Sequence, residues 1–232
     1  MKLRIRFGKH GVVKFIGHLD MMRYFQKAFR RAGFDMAYSK GFHPHQLITF
    51  ASPLGVGLES SGEYMDIEVV SAGDLDEMKA ALAAQMAEGV EILSIHALDE
   101  NAGNAMSLVA GADYKIAFRE DMMPMPVSDL KAAMADFMAR PEIQVLKKTK
   151  KSERIVDIRP LIYDLSVTDQ GEILMQVSAG SAANLKPELV LETFCRLNDL
   201  PADPYAWLIS RLDMYTDLGK DGERRLVSLE KC

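Results

Sequence analysis

A chain of 232 residues that is 48% hydrophobic and 26% charged can bury a core without covalent staples, is too apolar for extensive disorder, and is long enough for two domains. Its two cysteines, Cys195 and Cys232, exclude a disulfide framework and cannot hold an iron–sulfur cluster alone; no stretch has the apolar length of a signal peptide or membrane span, so a cytoplasmic protein is expected. The net charge of −5 conceals a division, because residues 1–50 hold ten Lys and Arg against Asp20 and Asp35, a surplus of eight, and the rest of the chain carries −13.

Binding answers to local potential rather than to the chain total, so the basic front end is where a polyanion is expected. Lys2 to Phe7 alternates Leu3, Ile5 and Phe7 with Lys2, Arg4 and Arg6, the period of a strand with one buried and one wet face. From Leu19 to Ala32 the apolar residues Leu19, Met22, Phe25, Phe29 and Ala32 recur at helical spacing, with Asp20 in the first turn and Gly33 after the last. The other face of this helix carries Arg23, Lys27, Arg30 and Arg31, and within the helix no acid stands four residues away to pair them. Such a strip suits successive phosphates of a nucleic-acid backbone; a solvated helix face is the plainer reading.

The loop AYSKGFHPHQLITF follows. Gly41 and Pro44 shape a turn, Tyr38 and Phe42 offer rings, Lys40 a cation, and His43 and His45 stand two apart, a mixture that can hold a single-stranded nucleotide by stacking and phosphate contact. His43 or His45 could instead transfer a proton in metal-independent RNA cleavage, and they are the weak catalytic candidates. Together with His18 and Asp20 the His-x-His pair has the residue types of a metal site, but no further ligand stands at a recognisable interval, and neither metal nor cofactor is expected on this chain.

Gln46–Ala51 and Glu63–Val70 read as strands around SPLGVGLESSG, whose glycines Gly55, Gly57 and Gly62 mark a long turn. A helix over 74–88 and a strand over 90–95 complete an order β, α, β, β, α, β. After the connector HALDENAGNAMSLVAGAD the order recurs: strand 114–118, helix 127–138, extended segments to 177, helix 185–197 and strand 207–214. The hairpin from Tyr163–Val167 into Ile173–Val177 is additional. The expected fold is therefore α+β, two tandem ferredoxin-like βαββαβ units, the second elaborated by an extra hairpin. The expected domains are 1–98, with the basic face, and 112–232, with a second basic segment at 147–159. That segment holds Lys147, Lys148, Lys150, Lys151, Arg154 and Arg159, which serve either as a further phosphate contact or as charges that protect a strand edge. The methionines, Met122, Met123 and Met125 among them, read as adaptable core filler.

At KFIGHLDMMRYFQKAFRRAGFDMAYSKGFHPHQLITFASPLGVGLESSGEYMDIEV the chain resembles the bacterial radical-SAM-associated domain, a family of unknown function fused to or encoded beside cobalamin-type radical SAM proteins and near genes for ribosomal proteins and an RNase. The match runs through GHLD, RRAG, YSKGFHPH and LGVGLES, and more thinly through VDIRPLI. The resemblance implies a radical SAM partner that supplies the cluster chemistry. The chain is then an accessory protein, not an enzyme on its own, that binds tRNA, rRNA or a ribosomal component with no membrane involved. An endoribonuclease-like activity through the loop histidines and a pure protein-interaction role are the alternatives. The paired units also resemble CRISPR RNA-processing endoribonucleases in architecture alone.

Overall fold

The computed structural model describes residues 1–148, 153–220 and 222–232, with a large, mostly antiparallel sheet and five α-helices among them. The fold is α+β, as the sequence predicts. The chain forms two compact units: Met1–Ala110 together with Arg211–Cys232, and Gly111–Ser210.

In the first unit the order is β1 (Lys2–Lys9), α1 (His18–Arg31), β2 (Ile48–Phe50), β3 (Glu59–Glu68), α2 (Leu75–Ala83), β4 (Val90–Ala97) and a short α3 (Ala105–Leu108). The pairings β1–β3, β1–β4 and β2–β3 are antiparallel, and these strands lie in the order β4-β1-β3-β2. Because side chains alternate along a strand, Leu3, Ile5, Phe7, Met65 and Ile67 share one face and form a core with Phe25, Ala28 and Phe29 of α1. The Phe7 and Phe25 rings meet edge to face at 4.9 Å. Burying each such ring is worth about 1.5–3 kcal/mol.

Helix α1 begins after Gly17 without a side-chain cap, and Asp20 in its first turn opposes the positive end of the macrodipole. It stops at Gly33, whose φ of +76° only glycine adopts readily. There Gly33 N–H donates to the Arg30 carbonyl and Phe34 N–H to that of Phe29, the Schellman pattern, closed by a Phe29–Phe34 ring contact at 5.2 Å. The buried stripe starts at Met21, while Leu19, predicted to face the core, is 65% exposed. Gly62, predicted in a turn, lies inside β3, where a Cβ would stand 2.3 Å from the Leu212 carbonyl oxygen; its glycine permits the close approach of another backbone.

The second unit holds β5 (Gly111–Phe118), α4 (Val127–Ala139), β6 (Gln144–Lys148), β7 (Glu153–Asp157), β8 (Ile162–Val167), β9 (Ile173–Ser178) and α5 (Pro187–Leu197). Strands β5, β9 and β8 pair antiparallel in that order, and β6 and β7 make a separate two-stranded sheet. Ile116, Leu130, Met134, Phe137, Met175 and Phe194 are buried. The hairpin over 163–177 therefore lies within the main sheet, and β6–β7 stands apart from it.

The domain division differs from the expected 1–98 and 112–232. Strand β10 (Trp207–Asp217) begins in the second unit, but from Arg211 the chain belongs to the first. It continues through β11 (Leu226–Ser228) to a last turn whose Leu229 is fully buried. The cause is polar as well as apolar, because one buried base, Arg4, and one buried acid, Glu63, find partners in this returning segment, as described below.

Candidate nucleic-acid interface

Nine of the ten cations of the first fifty residues separate into two sets; the tenth, Lys2, is half-buried at the start of β1 and forms no ion pair among the described residues. Arg4 is fully buried, its guanidinium donating to Asp66 Oδ1 at 2.8 Å and Oδ2 at 3.0 Å, and to the carbonyls of Gly103, Leu229 and Cys232. Asp66 also accepts from Ala105 N–H at 2.6 Å. Lys9 is 3% exposed and donates to the carbonyls of Lys14 and Ile16, which fixes the turn leading into α1. Burial pulls the Lys9 pKa down, with Glu63 opposing and Arg211 adding to the fall. Lys14 pairs with Glu59 at 3.1 Å, Arg6 lies 3.9 Å from Glu230, and Arg23 pairs with Asp20 at 3.1 Å.

Lys27, Arg30, Arg31 and Lys40 are exposed, and none forms an ion pair with an acid among the described residues. The cationic strip is thus narrower than the sequence implies. Arg23 faces solvent too, but Asp20, three residues earlier on the same helix, already neutralises part of its charge.

The loop after α1 is closed by a bridge between Tyr38 and Gln46 and by Ser39 N–H donating to the His45 carbonyl. Ser39 Oγ accepts from His45 N–H at 3.1 Å and lies 2.8 Å from His45 Nδ1. Tyr38 is 52% and Phe42 98% exposed, and Lys40, His43 and His45 are exposed as well. A residue that sequence reasoning missed ties this loop to the helix. Gln46, 6% exposed, donates through Nε2 to the Gln26 carbonyl of α1 at 3.4 Å and to Tyr38 Oη at 3.5 Å. Its only signal in the sequence is a polar residue where the strand period calls for an inward side chain.

The same period divides the loop's side chains. Gln46, Ile48 and Phe50 turn toward α1, so His45, Leu47 and Thr49 turn to the opposite face of the sheet, where His45 lines a pocket with Thr49 and Glu68. The structure therefore brings Tyr38 and Lys40 to the loop beside α1 but sends the His45 ring elsewhere. His18 and Asp20 part as well. His18 stacks edge to face on Phe50 at 5.0 Å and lines a cavity of about 20 Å³ with Lys9, Ser52 and Glu63, whereas Asp20 is exposed. Among the described residues no three His, Cys, Asp or Glu side chains gather as a metal site.

Glu63 is held by Arg211, Nε to Oε1 at 2.8 Å and Nη2 to Oε2 at 2.6 Å, and Arg211 also donates to the Ser52 carbonyl. Both side chains are nearly inaccessible. Tyr64 donates to Asp213 at 2.5 Å, and burial together with that carboxylate raises its pKa above the usual tyrosine range. These groups hold the returning segment to β3 and are removed from any surface chemistry.

Of the second basic segment, Lys150 and Lys151 lie outside the described residues, and for Lys147 and Lys148 the description extends to the backbone of β6. Arg159 is structural, donating to the carbonyls of Met138 and Ile162. No helix among the described residues is long and apolar enough to cross a membrane.

The fold and this face define an α+β protein with an exposed cationic helix and an aromatic loop pinned beside it. The chain belongs to the family described as "Uncharacterized protein conserved in bacteria (DUF2344)", whose model matches residues 2–187. No curated protein matches it. Among solved structures it is similar to a chain of "Crystal Structure of a Cbf5-Nop10-Gar1 Complex", with a TM-score of 0.48 and 13% identity, over 91% of this chain and 48% of that one. The chain thus spans about half the length of that relative.

Proposed function

We propose that the protein binds single-stranded RNA along the outer face of α1 and the 38–45 loop, and presents it to a radical SAM partner. The observation that carries this reading is the set of four exposed cations, Lys27, Arg30, Arg31 and Lys40, left without acidic partners among the described residues, while Arg4, Lys9 and Lys14 are engaged within the fold. Unpaired cations on one face release counterions when phosphates replace water. Beside them the exposed rings of Tyr38 and Phe42 offer the stacking surfaces that single strands use. The partner reading rests on the family resemblance and on a chain whose two cysteines, one of them the buried Cys195, leave cluster chemistry to another protein. The strand orders β4-β1-β3-β2 and β5-β9-β8, each with crossing helices, support reading both units as ferredoxin-like.

Filter binding of the purified chain to single-stranded RNA between about 50 mM and 200 mM salt tests the proposal. Four phosphate contacts give a log–log slope of about −3. Salt-insensitive binding, or none at the lower salt, overturns it. A radical SAM partner that stays bound after nuclease treatment, and is released by neutralising Lys27, Arg30 and Arg31, would make this face a protein-docking surface instead.

A further inference from the structure

The face of the first unit's sheet opposite α1 carries charge from both central strands. Lys2, Arg4 and Arg6 stand in register with Glu68, Asp66 and Tyr64. The middle pair is closed, Arg4 on Asp66 at 2.8 Å. The Lys2–Glu68 pair has the same cross-strand spacing, and side chains so placed ordinarily reach one another. Yet neither Lys2 nor Glu68 forms an ion pair with any described residue, and both line a cavity of about 250 Å³. An ammonium and a carboxylate that stand open on one cavity wall call for a ligand that donates at one point and accepts at the next.

The rest of the wall narrows the class. Leu47 and Thr49 of the β2 side, together with the His45 ring, line the same cavity. The hydrogen-bonding distance between Ser39 Oγ and His45 Nδ1 engages that ring atom and leaves Nε2 for whatever enters. Asp66 is already filled by Arg4 and Ala105 N–H, so Glu68 is the carboxylate available to a ligand. A planar, largely apolar body with a polar edge fits such a site. Its volume of about 250 Å³ falls just below the roughly 300 Å³ at which small-molecule pockets commonly begin, which suits one heterocycle and not an extended ligand.

We propose that this pocket is a guanine subsite for the RNA of the preceding section, a reading that rests on that function. Glu68 accepts from N1–H and the N2 amino group, Lys2 donates to O6, and Leu47 covers a ring face. Guanine is the base that offers two adjacent donors followed by an acceptor. Adenine offers one donor on that edge, cytosine one donor and two acceptors, and uracil a single N–H between two carbonyls. His45 lines the pocket, is exposed, and belongs to the loop that carries Lys40, so the pocket and the cationic loop share one segment.

The test has two arms with separate failures. In the first, a uridine-only oligonucleotide is compared with one carrying a single guanosine. The guanosine should tighten binding about tenfold, within the discrimination a bidentate base contact provides. Glu68→Gln should abolish the preference while leaving the salt slope unchanged, and Lys2→Met provides a second variant should the first fold poorly. Equal affinity for the two oligonucleotides, or a preference that survives both substitutions, overturns the subsite. In the second arm guanosine, which has no phosphate, is titrated into the labelled chain by NMR. Saturable shifts at the Leu47 and Thr49 amides, absent with adenosine, cytidine and uridine, are expected. Shifts elsewhere or none overturn the proposal. Guanosine binding here in a chain that fails to bind RNA would remove the RNA reading and leave the pocket's specificity standing.

Discussion

The outer face of α1 and the sheet beneath it draw on the same stretch of basic sequence and use it in opposite ways. On the helix, Lys27, Arg30 and Arg31 are exposed and unpaired among the described residues, so their charge is available to a partner at low desolvation cost. In the sheet, Arg4 and Lys9, joined by Arg211 from far along the chain, are buried against carboxylates and carbonyls. There the charge is a structural fastener: Arg4 and Arg211 hold the returning segment, and Lys9 holds the turn into α1. Local excess charge in a sequence therefore marks a candidate binding surface only after the buried members are subtracted.

The sharpest way to break this contrast is to remove a buried cation. Arg211→Met strips Glu63 of its hydrogen-bonded cation in a site that is almost closed to water, leaving Lys9 as the remaining nearby positive charge, and should cost about 3–5 kcal/mol in urea denaturation. The double variant Arg211→Met with Glu63→Leu should recover most of that loss, because an apolar pair of similar shape replaces the charges. A loss below about 0.5 kcal/mol in the single variant would place this pair with the surface charges.

Gln46→Ala removes the link between loop and helix. Its cost should be about 1 kcal/mol, near that of one hydrogen bond, and should be accompanied by faster amide exchange at Ser39 and His45.

A pH titration gives a smaller effect. His96 stands in register with Arg4, and burial pulls its pKa below the ordinary 6.5, with Glu230 and Asp66 opposing and Arg4 adding to the fall. The unfolded chain then binds the proton more tightly. Stability contributed by neutral His96 is complete above 6.5 and is lost as pH falls from there through the lowered folded value. His96→Gln should flatten the pH dependence of stability in that window. The smallest effect is expected from Arg23→Gln, which removes an exposed i,i+3 ion pair worth a few tenths of a kcal/mol and should lower RNA affinity less than Lys27→Gln.

Much of the first unit is legible from period alone. Alternation in Lys2–Phe7 and three-four spacing after Leu19 place β1 and α1, since both patterns are read over neighbouring residues. The fate of the charged residues is not legible, because it is decided by long-range partners. Arg4 meets Asp66 and, across most of the chain, the carbonyls of Leu229 and Cys232, and nothing near Arg4 announces that a distant segment will cover the strand's wet face. The turn of His45 away from α1 is different: it follows from strand parity, because its neighbour Gln46 points at α1. His18 and Asp20 look like a pair in sequence, but helix positions two apart diverge by about 200° and so face opposite sides.

The most direct test of the central claim compares the salt dependence of RNA binding in the native chain and in the variant Lys27→Gln, Arg30→Gln, Arg31→Gln. The account predicts a log–log slope shallower by about 2, from three lost phosphate contacts at roughly 0.7 each, with an unchanged Tm. An identical slope and affinity in the variant would contradict it.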